Sequence, residues 1–132
     1  MKLALEEPGS EETATVWREA PRTASSTLAY AEGRAALALA RRVGRLPDGY
    51  ELAVRSFESL FASVEAIDAA WEIVRHAGDL AEGHALRGYD AVHLASALSA
   101  LGDGDLLVTW DGNLAAAGRA TGLAVVGANG EI

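Results

Sequence analysis

The stretch DLLVTWDGNLAAAGRATGLAVVG (residues 105–127) decides the fold class that the sequence predicts. It contains the apolar run 105–110, a short helical pattern over 111–120 and a second apolar run at 123–127. Nearly continuous apolar strands on either side of a helix are typical of parallel sheets, in which a helix crosses over between neighbouring strands. The stretch therefore predicts an α/β fold with a parallel sheet, and ligands of such folds gather at the carboxyl ends of the strands.

The rest of the chain continues this alternation of helices and strands. Helical spacing of apolar residues, and turn signals such as Pro47-Asp48-Gly49, set the limits of the predicted elements. No repeat, linker or low-complexity stretch interrupts them, so we expect residues 1–132 to form a single domain. The additional predicted helices are 10–20, 27–45, 48–62, 69–82 and 90–101, and the additional predicted strand is 63–68.

Composition and charge exclude several classes of function. The 132 residues include no cysteine, which excludes disulfides, thiolate metal sites and cysteine catalysis. A net charge of −8, from 19 acidic and 11 basic residues, argues against a passive nucleic-acid binder with a basic face. The longest uncharged run, 91–102, is far shorter than the roughly 20 residues that span a bilayer. We therefore expect a cytoplasmic protein with no membrane partner.

Three carboxylates, Glu32, Asp90 and Asp111, occupy positions where a charge needs an explanation. Glu32 shares its helical face with two alanines and Leu39, so it is predicted to lie on an apolar face. Asp90 and Asp111 each open a predicted helix, and Asp111 also follows an apolar strand. Each acid has a structural alternative. Glu32 could pair with an arginine elsewhere or lie at a boundary, and the two aspartates could be helix N-caps.

Together, the three acids form a candidate metal site at the carboxyl edge of the sheet. Oxygen ligands without histidine or cysteine select hard cations such as Mg²⁺ or Mn²⁺. A divalent cation would remove the repulsion among the carboxylates, activate water and stabilise charge on a phosphoryl group. The pattern therefore favours the hydrolysis of phosphodiesters.

Two blocks of sequence resemble the carboxyl-terminal half of a PIN domain, especially that of VapC-type toxins from bacterial type II toxin–antitoxin systems. The blocks are RGYDAVHLASAL (87–98) and LLVTWDGNLAAAGRATGLAVV (106–126). The stretches TASSTLAYAEGRAALALARR (23–42) and KLALEEPGSEE (2–12) resemble earlier parts of the same family. The resemblance thus covers essentially the whole chain.

The resemblance implies a three-layer α/β/α sandwich and a Mg²⁺-dependent endoribonuclease, in which Mn²⁺ could replace Mg²⁺. It places Glu32, Asp90 and Asp111 at the catalytic, metal-binding positions of the family. Thr109 matches the small hydroxyl residue before the last acid, where it would orient ligands or water, and Asn113 could do the same. The implied partners are an RNA substrate, a cognate antitoxin whose arginine or lysine enters the acidic pocket, and a second copy of the chain.

The amino terminus departs from the family pattern. Members of the family begin with a buried strand that carries the first metal-binding Asp, and this strand is absent here. Met1 stands where relatives often have valine, so we hypothesise that a GTG valine codon was read as a start. In-frame translation of the upstream DNA tests this hypothesis. The alternative function is a catalytically inactive PIN-like binding module, because the first metal-ligand Asp is missing.

One further pattern and one rival family bear on function. Three arginines align on one helix face, where they could contact RNA phosphates or simply be solvated. A receiver-like signalling domain also has an acidic Mg²⁺ pocket, but it needs a lysine late in the chain, and the only lysine here is Lys2. The three arginines, on the face opposite Glu32, are Arg34, Arg41 and Arg45.

Overall fold

A computed structural model of the chain describes residues 15, 18–20 and 22–127. This part of the chain contains five α-helices and four short β-strands, and two helices separate β1 from β2 and β2 from β3. The helices are α1 (Leu28–Arg42), α2 (Tyr50–Ala62), α3 (Trp71–His84), α4 (Gly88–Ala100) and α5 (Gly112–Ala120). The strands are β1 (Ala24–Ser26), β2 (Glu65–Ile67), β3 (Leu106–Thr109) and β4 (Ala124–Gly127).

The chain divides into two compact units, Met1–Ala66 and Ile67–Ile132. In the first unit, α1 packs against α2 around Gly33, whose missing side chain makes room for a ring. A Cβ at Gly33 would lie 2.3 Å from Cζ of Phe57, which is itself buried. The rings of Tyr30 and Phe61 complete an aromatic cluster, at 5.7 and 6.0 Å from the ring of Phe57. The α1–α2 contact therefore depends on a glycine facing an aromatic ring.

The strands β1 and β2 form a two-stranded sheet. Beside it, the backbone N–H of Glu65 donates to the carbonyl of Thr23 at 2.8 Å. The guanidinium of Arg22 donates to both carboxylate oxygens of Glu65, with Nε to Oε2 at 3.0 Å. Both side chains are more than half exposed, so this ion pair connects the residue two positions before β1 to the first residue of β2 at the protein surface.

In the second unit, β3 and β4 pair in parallel, with Leu106 opposite Ala124 and Thr109 opposite Gly127. Helix α5 connects these strands and packs on both, and α3 packs against α4. Aliphatic side chains from α3, α4, α5 and β4, together with Leu86, form the core of the unit. Its buried members are Ala77, Leu80, Leu86, Ala91, Val92, Leu94, Ala95, Ala97, Leu114, Ala115, Ala117 and Val125.

The end of β4 allows only glycine. Gly127 has φ +134°, in the region that side chains rarely adopt, and a Cβ there would lie 1.6 Å from the carbonyl oxygen of Thr109. This close contact lies at the end of β3 that leads into α5.

The structure confirms the α/β class and most of the predicted elements. The apolar runs 105–110 and 123–127 are β3 and β4, and their pairing is parallel as predicted. Strand β1 was not predicted, and it lies between two predicted helices. Most of the predicted helix 10–20 lies outside the described residues. Within the described residues, no helix is long and apolar enough to cross a membrane.

Candidate active site

Asp90 lies in the first turn of α4, as the third helical residue after the N-cap Arg87. The N-cap role that the sequence left open for Asp90 is wrong, because α4 begins two residues before Asp90, at Gly88. The Asp90 side chain is 10% exposed, and its Oδ2 accepts a hydrogen bond from Nε of Arg87 at 2.9 Å. A carboxylate in the first helical turn also complements the positive end of the helix dipole. Asp90 is therefore a nearly buried charge with one cationic partner on its own helix.

Asp111 directly follows the β3 strand and its flanking residue Trp110, and it is the N-cap of α5. Its Oδ1 accepts from the backbone N–H of Leu114 at 2.9 Å, as an N-cap carboxylate does. Its other oxygen, Oδ2, lies 3.3 Å from Nη2 of Arg87. The N-cap interpretation of Asp111 is confirmed, and the second oxygen remains directed toward a cation.

Arg87 joins the two aspartates through different nitrogens of one guanidinium. Its hydrogen bond to Asp90 raises the pKa of the Arg87 guanidinium, and the negative charges of Asp90 and Asp111 act in the same direction. The guanidinium also lies over the ring of Tyr89, 4.7 Å from the ring centroid. The second unit thus brings two carboxylates from separate elements to one shared cation.

The residues predicted to support the acids lie on either side of the turn between β3 and α5. The hydroxyl oxygen of Thr109 accepts from the backbone N–H of Asp111 at 3.1 Å, which fixes the turn between β3 and α5. Asn113 is exposed in the first turn of that helix. His93, which the sequence places in the family block, is half-buried on α4. Thr109 therefore orients the backbone that carries the second acid, and the role of Asn113 stays a prediction.

Glu32 lies on α1 of the first unit and is exposed. Its predicted position on a buried apolar face is wrong, because α1 buries Gly33, Leu37 and Ala40 instead. Leu39, on the same face as Glu32, is 53% exposed. Among the described residues, no group of three or more histidine, aspartate or glutamate side chains could hold a metal ion. The role of Glu32 as a third metal ligand stays a prediction.

The arginines predicted to meet RNA have different surroundings. Arg34 donates to the hydroxyl of Tyr30 at 2.9 Å and lies 3.6 Å from the carboxylate of Glu58. The hydrogen bond to Tyr30 raises the pKa of the Arg34 guanidinium. Arg41 is exposed, with its guanidinium 4.6 Å from the ring centroid of Tyr50. Arg45 is also exposed. Arg34 is therefore partly neutralised within the protein.

Arg87 is the site residue that the sequence did not single out. The signal was present, because an arginine three residues before an aspartate at a helix start faces it across one turn. The second contact of Arg87, with Asp111, could not be predicted from sequence spacing because it depends on how α4 and α5 pack in space.

The donor set of the two aspartates fits a hard divalent cation. Both groups are carboxylates, the oxygen donors that Mg²⁺ and Mn²⁺ prefer, and the packing already directs both toward a single positive group. In the structure, the guanidinium of Arg87 is the positive group that contacts both carboxylates.

Comparisons with known proteins identify the family of the chain. The chain matches the PIN domain family over residues 1–120. It is 44% identical over 128 residues to Ribonuclease VapC45 of Mycobacterium tuberculosis strain CDC 1551 / Oshkosh, covering 95% of this chain and 88% of the relative. The same identity and coverage hold for Ribonuclease VapC49 of Mycobacterium tuberculosis strain ATCC 25618 / H37Rv. With its α/β fold and its paired aspartates, the chain belongs to the PIN domain family.

Proposed function

We propose that this protein is a divalent-metal-dependent endoribonuclease, the toxin of a toxin–antitoxin pair. The observation that carries the proposal is the convergence of Asp90 and Asp111 on one cationic group. Its second support is the 44% identity to two relatives named as ribonucleases. A cytoplasmic location, a cognate antitoxin and a homodimer belong to the same proposal, since these are expected of the family.

Asp90 and Asp111 are the residues that would hold the metal, which is Mg²⁺ or Mn²⁺. When bound, such a cation lowers the pKa of a coordinated water and stabilises negative charge on a phosphoryl oxygen. The chain's own contribution is orientation. The N–H of Leu114 fixes one oxygen of Asp111, and burial in the first turn of α4 fixes Asp90. The proposal also gives Glu32 a catalytic role, which Glu32→Gln tests separately.

Cleavage of a labelled RNA by purified protein tests the proposal. We expect cleavage with Mg²⁺ or Mn²⁺, none in excess chelator, and a loss in Asp90→Asn that exceeds the roughly 10–100-fold typical of residues that only support a ligand. Asp79→Asn, an exposed aspartate on α3, is the matched control and should cleave normally. Undiminished activity of Asp90→Asn, or activity in chelator, would contradict the metal mechanism.

A catalytically inactive, PIN-like binding module is the second candidate. It is favoured by the finding that the described residues contain no group of three or more metal-binding side chains. The same assay separates the two functions. An inactive module leaves RNA intact at every metal concentration, whereas the nuclease cleaves it and loses this activity in Asp90→Asn.

A further inference from the structure

We propose that Arg87 is an internal counter-ion that competes with the catalytic metal, and that it must release at least one carboxylate before a divalent cation binds. The inference rests on the proposed metal-dependent function. It assigns to Arg87 control of metal affinity, rather than contact with the RNA.

Arg87 contacts one carboxylate oxygen of each aspartate. Asp111 uses Oδ1 to cap α5 through the N–H of Leu114, so Oδ2 is the oxygen that does not take part in the cap. That oxygen lies 3.3 Å from Nη2 of Arg87, and Oδ2 of Asp90 lies 2.9 Å from Nε. A metal bound to both oxygens would face the guanidinium at close range, where two positive charges repel each other.

The three side chains differ in how easily they can move away. The Arg87 side chain is 62% exposed, whereas that of Asp90 is 10% exposed and that of Asp111 is anchored by the α5 cap. Arg87 is also the N-cap of α4, and its side chain makes no hydrogen bond that caps this helix. Its movement into solvent therefore leaves α4 intact. Arg87 is the partner that yields when a metal arrives.

Tyr89 offers the guanidinium a second contact during this exchange. The Arg87 guanidinium lies 4.7 Å from the centroid of the Tyr89 ring, and Tyr89 is 44% exposed. A cation over an aromatic face keeps a favourable interaction while it remains in contact with water. The ring can therefore retain Arg87 near the site after the carboxylates are released.

Calorimetric titration of the metal-free protein with Mn²⁺ tests the inference without measuring activity. We expect Arg87→Gln to bind Mn²⁺ about tenfold more tightly than the parent, because one repelling charge is removed from the site. Arg87→Lys keeps the charge but not the fork that spans two carboxylates, and it should fall between the two. Arg75→Gln, an exposed arginine on α3, changes the net charge equally and should bind as the parent does.

Thermal unfolding gives a second readout. Without metal, Arg87→Gln should melt below the parent because two carboxylates lose their cation, and saturating Mn²⁺ should raise its melting temperature more than that of the parent. Equal or weaker Mn²⁺ binding by Arg87→Gln would overturn the inference while leaving the metal-dependent function intact. No Mn²⁺ binding by the parent or any Arg87 variant would overturn both. Should Arg87→Gln fail to fold, Arg87→Lys decides between tighter and weaker binding.

Discussion

Asp111 accepts the backbone N–H of Leu114 with one carboxylate oxygen and turns the other toward Arg87. The residue thus begins helix α5 and contributes a charge to the candidate active site at the same time. The N-cap interpretation of Asp111 is confirmed, and its role as a metal ligand stays a prediction. The two roles are compatible because the two oxygens of a carboxylate can serve different partners.

Substitutions at Asp111 should separate these two roles. Asp111→Asn keeps an oxygen for the Leu114 amide, so its free energy of unfolding should stay close to that of the parent. Asp111→Ala loses the cap and should cost about 1 kcal/mol in urea denaturation. Both should lose RNA cleavage, since both lose the charge. Equal destabilisation by Asn and Ala would contradict a contribution of the capping oxygen to stability.

Gly33→Ala should destabilise the first unit. The new Cβ would lie 2.3 Å from Cζ of the buried Phe57, and such overpacking costs about 1–3 kcal/mol, which exceeds the gain of up to about 1 kcal/mol from replacing a helical glycine. The matched control is Gly78→Ala on α3, where a Cβ meets nothing within 4 Å. It should stabilise by about 0.5–1 kcal/mol in urea denaturation.

A double mutant identifies the cause of this cost. In a Phe57→Leu background the aromatic ring is absent, and Gly33→Ala should then be neutral or stabilising. An unchanged penalty in that background would place the clash elsewhere than at the ring.

Arg34 and Arg41 should differ in their effect on RNA binding. The charge of Arg34 faces Glu58 at 3.6 Å, whereas Arg41 is exposed beside Tyr50. Measured with the cleavage-deficient Asp90→Asn protein, Arg41→Gln should reduce the slope of log affinity against log salt by about 0.7–0.9, as expected for one lost phosphate contact. Arg34→Gln should change the slope less. Equal slopes in all variants would remove both arginines from the RNA interface.

The pair Arg22–Glu65 should leave a signature at acid pH. Its hydrogen bonds, and then the charge of Arg22, hold the pKa of Glu65 below its usual 4.5. A lowered folded-state pKa stabilises the protein above about pH 4.5, and this contribution is lost as the pH falls through the folded-state value. Because the pair is exposed, the effect is small.

Urea midpoints between about pH 3 and 5 measure this dependence. Glu65→Gln should flatten the acid side of the stability profile, and Arg22→Gln should do the same. Glu72→Gln, an exposed glutamate on α3, serves as the control and should leave the slope unchanged. A parent-like slope in Glu65→Gln would show that other carboxylates set the acid response.

Local signals explain which elements could be predicted from the sequence. The strands β3 and β4 and the start of α5 follow from continuous apolar runs, glycine turns and a capping aspartate within one short stretch. Strand β1, by contrast, is three small residues, Ala-Ser-Ser, without apolar alternation. It exists because β2, about forty residues later, supplies its partner, and no local pattern reports such a partner.

In the candidate site, too, local spacing could be predicted from the sequence, whereas contacts made by tertiary packing could not. The spacing of Glu32, Ala35 and Leu39 correctly places them on one face of α1, but spacing does not say which face of a helix is buried. Arg87 was not predicted as a site residue. Its contact with Asp90 follows from sequence spacing, but its contact with Asp111 depends on tertiary packing.

The close approach of Gly127 to Thr109 makes the geometry of the candidate site depend on a glycine that has no side chain of its own. Any substituent at Gly127 would push against the carbonyl of Thr109, and the hydroxyl of Thr109 positions the amide of Asp111. If Gly127 is replaced by every other amino acid in turn, we expect RNA cleavage to be retained only by the protein with glycine at this position. The residue that can occupy the end of β4 is therefore determined by the backbone of β3, its partner in the sheet.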